Sequence, residues 1–290
     1  MPAEAPFSRV AVLGTGLIGG SFALAFRALY PGVPVIGWDR PGVAQRAVAL
    51  GAITQVAGDL ASAVHGGDLI YVALPVGAIL ECLPEIARAA APGALVTDAG
   101  GTKTAICRAA DHVFPPDGGF IGGHPLAGRE SSGIENASAE LFRGAEYVLV
   151  GDENPPAAGA LRLAGLLGEM GARVVWLDAE THDWAAAIIS HLPQLVTIAL
   201  AGVVREETDE TGLPLSLAGS GLRDTLRLAG SPYDLWRDIC LTNTDNIARA
   251  LDRLAQAVDY LRTRLASREL EAEFAAANEV YQSLSGPRRV

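Results

Sequence analysis

Half of the 290 residues are hydrophobic and only 19% are charged, which excludes a disordered chain and leaves enough apolar material for a sizeable core. A formal net charge of -11 excludes a general attraction for nucleic acid or for an anionic membrane, so an anionic ligand must be drawn by a local basic pocket. Cys82, Cys107 and Cys240 have no C-x-x-C or Cys/His metal spacing and read as reduced thiols of a cytoplasmic protein. In chain order, Val10–Leu13 reads as a buried strand, 22–29 as a helix, 34–38 as a strand and 43–50 as a helix. A strand at 69–74 follows, then a helix containing 84–91 that Pro92-Gly93 ends, a strand at 95–98 and a short helix at 104–110. Brief strands at 120–123 and 147–150, a helix at 161–170 stopped by Gly171 and a strand at 174–177 complete the alternation.

That alternation predicts an α/β, Rossmann-type, doubly wound domain over residues 1–178. Beyond it the strand signals stop, and 184–204, 213–228, 233–265 and 269–284 read as helices of an all-α domain over 179–290. The helices run to the end of the sequence, so no appended regulatory domain is expected. Residues 184–204 carry no charge and are long enough to cross a bilayer, yet they include Ser190, His191, Pro193, Gln194 and Thr197 and lack a basic flank. Burial in the helical domain or in a homodimer interface is the expectation, and no membrane partner.

The stretch VAVLGTGLIGGS carries the most specific local signal. Gly14, Gly16 and Gly19 follow a strand, open a helix and have the G-x-G-x-x-G spacing of a dinucleotide cradle. Gly14 permits the tight turn, Gly16 lets the backbone approach a pyrophosphate, and Gly19 lets helix and strand pack closely. The helix N-terminus offers N–H groups and a positive dipole end. Asp39 closes the second strand where a carboxylate accepts from ribose hydroxyls, which predicts NAD over NADP, with Arg40 beside it as the contrary sign. Leu17, Ile18 and Pro75 complete the expected cofactor contacts. Ligands in open α/β sheets lie beyond the carboxyl ends of strands, which singles out the loops 75–77, 99–103 and 124–133. In the last of these, His124 sits among glycines and before Pro125. It reads either as the imidazole that takes a hydroxyl proton during hydride transfer or as a structural histidine shaping the loop. His65, His112 and His182 lie in polar surroundings and read as facing solvent.

GTGLIGGS (14–21), VTDAGGTK (96–103), GGHPLAG (122–128), ELFRGAEYVL (140–149), SHLPQLV (190–196) and GLRDTLRLAGSPYDLWRDI (221–239) follow one another in order. Over nearly its full length the chain thereby resembles the prephenate/arogenate dehydrogenase family of tyrosine biosynthesis. The resemblance implies oxidative decarboxylation of prephenate to 4-hydroxyphenylpyruvate with NAD+, or of arogenate to tyrosine, by a homodimer joined through its helical domain. It further implies that His124 hydrogen-bonds the substrate 4-hydroxyl, that Arg227 pairs with a substrate carboxylate, and that His191 lines the cleft. Arg223, four residues before Arg227, is the fallback anion binder, and Asp224 is placed to orient either. Composition alone reads Arg227 as a surface cation and His191 as a core histidine. Three positions depart from the family pattern: Gly101 replaces a frequent serine, for which Thr102 is the substitute hydroxyl, Gln194 replaces a histidine, and Arg129 replaces a threonine. They leave open the choice between prephenate and arogenate. Another Rossmann dehydrogenase acting on a hydroxy acid or imine, and a dinucleotide sensor without chemistry, are the remaining readings.

Overall fold

The computed structural model describes residues 4–115, 119–127, 132–151, 157–208 and 211–285. Its contacts divide the chain into two units, Met1–Thr244 and Asp245–Val290. The first unit is built on strands β1 (Val10–Leu13), β2 (Val35–Trp38), β3 (Gln55–Val56), β4 (Leu69–Val72), β5 (Leu95–Asp98) and β6 (Phe120–Ile121). They pair in the order β3-β2-β1-β4-β5-β6, every pairing parallel. Helices α1 (Leu17–Leu29), α2 (Pro41–Ala49), α3 (Leu60–Val64), α4 (Val76–Ala89) and α5 (Thr104–Asp111) make the crossovers. The strand order reverses direction at β1, between β2 and β4, and the crevice beside that point is where such sheets bind ligands. Both sheet faces are covered, so β1 and β4 are apolar and buried at every position rather than alternating. One face packs Phe22, Phe26 and Tyr71, and the other packs Ile36, Ile70, Ile79 and Ile106.

Sequence periodicity does not announce β3 and α3, because two and five residues are too short to show a period. A capping box between Asp59 and Ser62 starts α3 and was its available signal. Helix α4 begins at Val76, well before 84, and carries Pro84 within it.

The strands do not form a single sheet. After β6 the chain steps through Gly122 into β7 (Gly123–Pro125), which pairs antiparallel with β8 (Glu146–Val150), itself parallel to β9 (Arg173–Leu177). His124 therefore lies within a strand, opposite Val148, and not in the loop expected from the sequence. Helix α6 (Ala158–Glu169) packs beside β9, and Tyr71 and Tyr147 join the two sheets by a buried hydroxyl pair at 3.0 Å.

Helix α7 (Ala179–Ala186) continues through a π-helical turn, Ala187–His191, into α8 (Leu192–Glu206). Pro193 lacks an N–H and its ring crowds the carbonyl four residues earlier, which accounts for the widened turn directly before it. Among the described residues, Ala179–Glu206 is the segment long and apolar enough to cross a membrane. Its buried polar side chains His182, Asp183, His191, Gln194 and Thr197 are all hydrogen-bonded within the protein. The helix expected over 213–228 is broken into α9 (Leu213–Ser216), α10 (Ser220–Leu226) and a 3-10 turn, Arg227–Gly230. That expected over 233–265 is interrupted at Asn243, between α11 (Tyr233–Thr242) and α12 (Thr244–Arg264). The second unit is the hairpin of α12 with α13 (Glu271–Ser285), whose groove of about 720 Å³ is lined by residues including Tyr260, Leu261 and Phe274.

Candidate active site

The glycine turn after β1 fits a dinucleotide by its sterics. Gly14 has φ of 88°, and a Cβ there would lie 2.3 Å from the Ala73 carbonyl oxygen. A Cβ on Gly19 would meet the Gly14 oxygen at 1.9 Å, so helix and turn touch through bare backbone. A Cβ on Gly16 would meet nothing within 4 Å, so this turn opens onto space that a pyrophosphate can fill. Gly16 caps α1 without a side chain, leaving the first-turn N–H groups for an anion. Gly16, Leu17 and Ile18 share a pocket of about 320 Å³ with Pro75, Gly101 and Ile239. At the end of β2 the Asp39 carboxylate accepts from Thr15 N–H at 2.7 Å and Arg40 N–H at 2.7 Å, which fixes its orientation and leaves lone pairs for ribose hydroxyls. The Arg40 side chain is 89% exposed, 3.9 Å from Asp39.

Two helix N-termini bordering this cleft are capped from far along the chain. Asp238 on α11 accepts from Gly77 N–H at 2.9 Å in the first turn of α4, where Pro75 provides no side-chain cap. Asp183 on α7 accepts from Lys103 N–H at 2.7 Å and Thr104 N–H at 2.9 Å at the start of α5. Arg237 beside Asp238 holds its carboxyl below the usual carboxylate range.

His124 is the centre of a polar network. Its Nδ1 lies 2.8 Å from Nε2 of His182, whose Nδ1 lies 2.8 Å from Oδ1 of Asp183. The Nε2 of His124 has no partner among the described residues. Below it, the ammonium of Lys103, itself fully buried, donates to Asp98 and, at 2.8 Å, to the Gly123 carbonyl. Asp98 in turn accepts from Gly123 N–H at 3.0 Å and Gly100 N–H at 2.8 Å, so the hydrogen-bonded ion pair pins the start of β7. Desolvation pushes the His124 imidazole well below its usual range, and the charges of His182, Lys103 and His191 push the same way against Asp183. His124 is thereby neutral at physiological pH and able to accept a proton.

His191 joins the same network from the π-helical turn. Asn243 donates to the Asp183 carbonyl at 2.7 Å and lies 3.2 Å from Nδ1 of His191, whose ring meets Trp236 edge-on. Burial is the main cause that pushes His191 down to about 4. The Thr102 hydroxyl is paired with Thr242 at 2.7 Å, and Gly101 lines the cofactor pocket against Ile239. Gln194 donates to the Leu228 carbonyl at 2.9 Å and so ties α8 to the turn that carries the exposed Arg227. The structure brings His124 and His191 together around Asp183, whereas Gln194 and Arg227 form a separate pair of elements. Arg129 lies outside the described residues.

His182 corrects the sequence expectation: it is 2% exposed and bonded to His124, not facing solvent. Asp183, Asp98, Lys103 and Asn243 were not singled out either. The signal available for the first was a His-Asp pair directly before a long uncharged segment, where two polar side chains need buried partners.

Comparison with known proteins gives the same family from several directions. Residues 22–176 match the model for the prephenate dehydrogenase nucleotide-binding domain, and residues 178–277 that for the prephenate dehydrogenase dimerization domain. The chain is 34% identical over 267 residues to prephenate dehydrogenase of Bacillus subtilis, covering 91% of this chain and 72% of that one. It is 32% identical over 265 residues to cyclohexadienyl dehydrogenase of Zymomonas mobilis, covering 91% and 90%. Among solved structures, prephenate dehydrogenase from A. aeolicus in complex with hydroxyphenyl propionate and NAD+ superposes with a TM-score of 0.88 at 26% identity, covering 96% and 97%. Synechocystis arogenate dehydrogenase superposes at 0.76 with 31% identity, covering 96% and 98%. With an NAD-type Rossmann cradle, a helical region and these matches along its length, the chain belongs to the prephenate dehydrogenase family of NAD-dependent oxidoreductases.

Proposed function

We propose that this chain oxidises prephenate with NAD+, releasing carbon dioxide and 4-hydroxyphenylpyruvate, as a cytoplasmic homodimer with no nucleic-acid or membrane partner. The observation that carries the reading is the His124 imidazole, whose Nε2 has no partner among the described residues and whose strand is tied through Asp98 to Gly100 in the lining of the pocket at the glycine turn. NAD+, when bound, supplies the acceptor for the hydride that leaves C4 of the substrate ring. His124 accepts the 4-hydroxyl proton as the C4–O bond gains double-bond character. The electron pair of the bond to the ring carboxylate then enters the ring, which becomes aromatic, and the 4-oxygen recovers its proton. Arg227 suits a substrate carboxylate through its bidentate guanidinium, and Gln194 steadies the turn beneath it. Asp39 favours NAD+ because it accepts from a 2′-hydroxyl and repels a 2′-phosphate. Lys103 and Asp98 hold β7, and hence His124, in place.

Oxidation of arogenate is the second reading, favoured by the cyclohexadienyl and arogenate dehydrogenases among the relatives. Steady-state kinetics with prephenate and arogenate, each with NAD+ and NADP+, decide between them. The expected result is the highest kcat/KM for prephenate with NAD+. A higher value for arogenate transfers the assignment, a higher value for NADP+ removes the role given to Asp39, and no turnover of either ring overturns the proposal.

A further inference from the structure

We propose that His182 and Asp183 are positioning residues that fix the tautomer of His124, keeping its proton on Nδ1 and its lone pair on Nε2. The inference deepens the reading of His124 as proton acceptor and rests on it. Its starting point is the direction of the hydrogen bonds. Asp183 is buried and receives the backbone N–H groups of Lys103 and Thr104, so its carboxylate is committed as an acceptor. His182 Nδ1, 2.8 Å from Asp183 Oδ1, must then carry its hydrogen and donate it. In the neutral ring this leaves the lone pair on Nε2, which faces His124 Nδ1 at 2.8 Å. His124 Nδ1 must donate in its turn, and the only nitrogen left to accept a substrate proton is Nε2. Each link passes the same polarity to the next.

The surroundings reinforce this state. The groups facing His124 are His182 and Asp183 on α7, His191 in the π-helical turn and Lys103 after β5. Burial of the His124 ring and the nearby buried ammonium of Lys103 disfavour a positive charge on it, which keeps it neutral. No side chain at Gly101 holds the ring from elsewhere, and the neighbouring Thr102 hydroxyl is bonded to Thr242. Orientation of the acceptor therefore falls to His182. The reverse polarity, with hydrogen on His124 Nε2, would present a donor to the substrate hydroxyl and leave no base there.

The test combines spectroscopy with kinetics. Nitrogen-15 spectra of the labelled wild-type protein, with His124 assigned by its absence in His124→Asn, are expected to show hydrogen on Nδ1 and an unprotonated Nε2 at neutral pH. His182→Leu removes the acceptor, and kcat is expected to fall about 10²-fold while both KM values stay within about threefold. His182→Gln reproduces the polarity, its carbonyl accepting from His124 and its amide donating to Asp183, and is expected to bring kcat back to within about tenfold of wild type. A folded Leu variant with wild-type kcat, or a wild-type spectrum with hydrogen on Nε2 of His124, overturns the proposal. If the Leu variant does not fold, the wild-type spectrum alone decides. Absence of turnover by the wild type would refute the proposed function, whereas the tautomer is read without any substrate.

Discussion

At the scale of single residues, the site depends on which polar groups are buried with which partners. His124→Asn keeps a polar side chain but removes the titrating acceptor, so kcat per folded site should fall by about 10²–10⁴-fold. The competent form is the neutral ring, hence activity is lost as pH falls through its pKa. Because that pKa lies well below its usual range, kcat/KM should stay level from neutrality down past pH ~6.5, the ordinary histidine value, and decline only in more acid solution. A pH profile that breaks at or above that value, or a folded Asn variant with normal kcat, would remove His124 from the chemistry. The histidine could be found from sequence because glycines and a proline mark it as unusual. His182 is harder to find, since beside the hint of a His-Asp pair before an uncharged segment its role depends on a partner 58 positions away.

Among the elements, the glycine turn, β1, α1 and β2 were legible because local periodicity and steric need coincide there. The step from β6 to β7 was not, because side-chain bonds from Asp98 and Lys103 to Gly123 create it and neither leaves a periodic trace. The break at Asn243 has the same origin: its side chain serves Asp183 and His191 instead of a continuous helix. Helix α4 borrows its N-terminal cap from Asp238, so Asp238→Ala should cost about 1 kcal/mol and lower the midpoint of thermal unfolding by about 2–4 °C. Because α4 begins at the cofactor pocket, KM for NAD+ should rise with it. An Ala variant with an unchanged midpoint and unchanged KM would show that the bond contributes nothing.

For the whole molecule, the helical region carries large apolar side chains open to water, which a second subunit is suited to cover. Leu217, Leu241, Leu265, Phe274 and Leu284 are all more than two-thirds exposed. The match to a dimerization domain over 178–277 covers every one but the last. Light scattering at micromolar concentration should accordingly return twice the chain mass of 30.1 kDa, and a monomeric mass would contradict the homodimer. The long uncharged segment is expected from sequence to be covered, yet in the single chain Trp184, Ile189 and Val203 are each more than half exposed, and sequence held no information on which of its residues turn inward. His191, at the end of the π-helical turn, faces Asn243 and Trp236, whereas Gln194 faces the Leu228 carbonyl.

The two caps supplied by Asp183 and Asp238 also bear on how the chain is made. A ribosome releases the polypeptide from its N-terminus, so α4 and α5 emerge long before the carboxylates that complete their first turns. Until Asp183 has left the exit tunnel both helix ends lack these carboxylates, and until Asp238 follows the end of α4 at the cofactor cleft still does. The nucleotide-binding half is therefore not a finished module awaiting an addition, and its maturation waits on the helices translated after it.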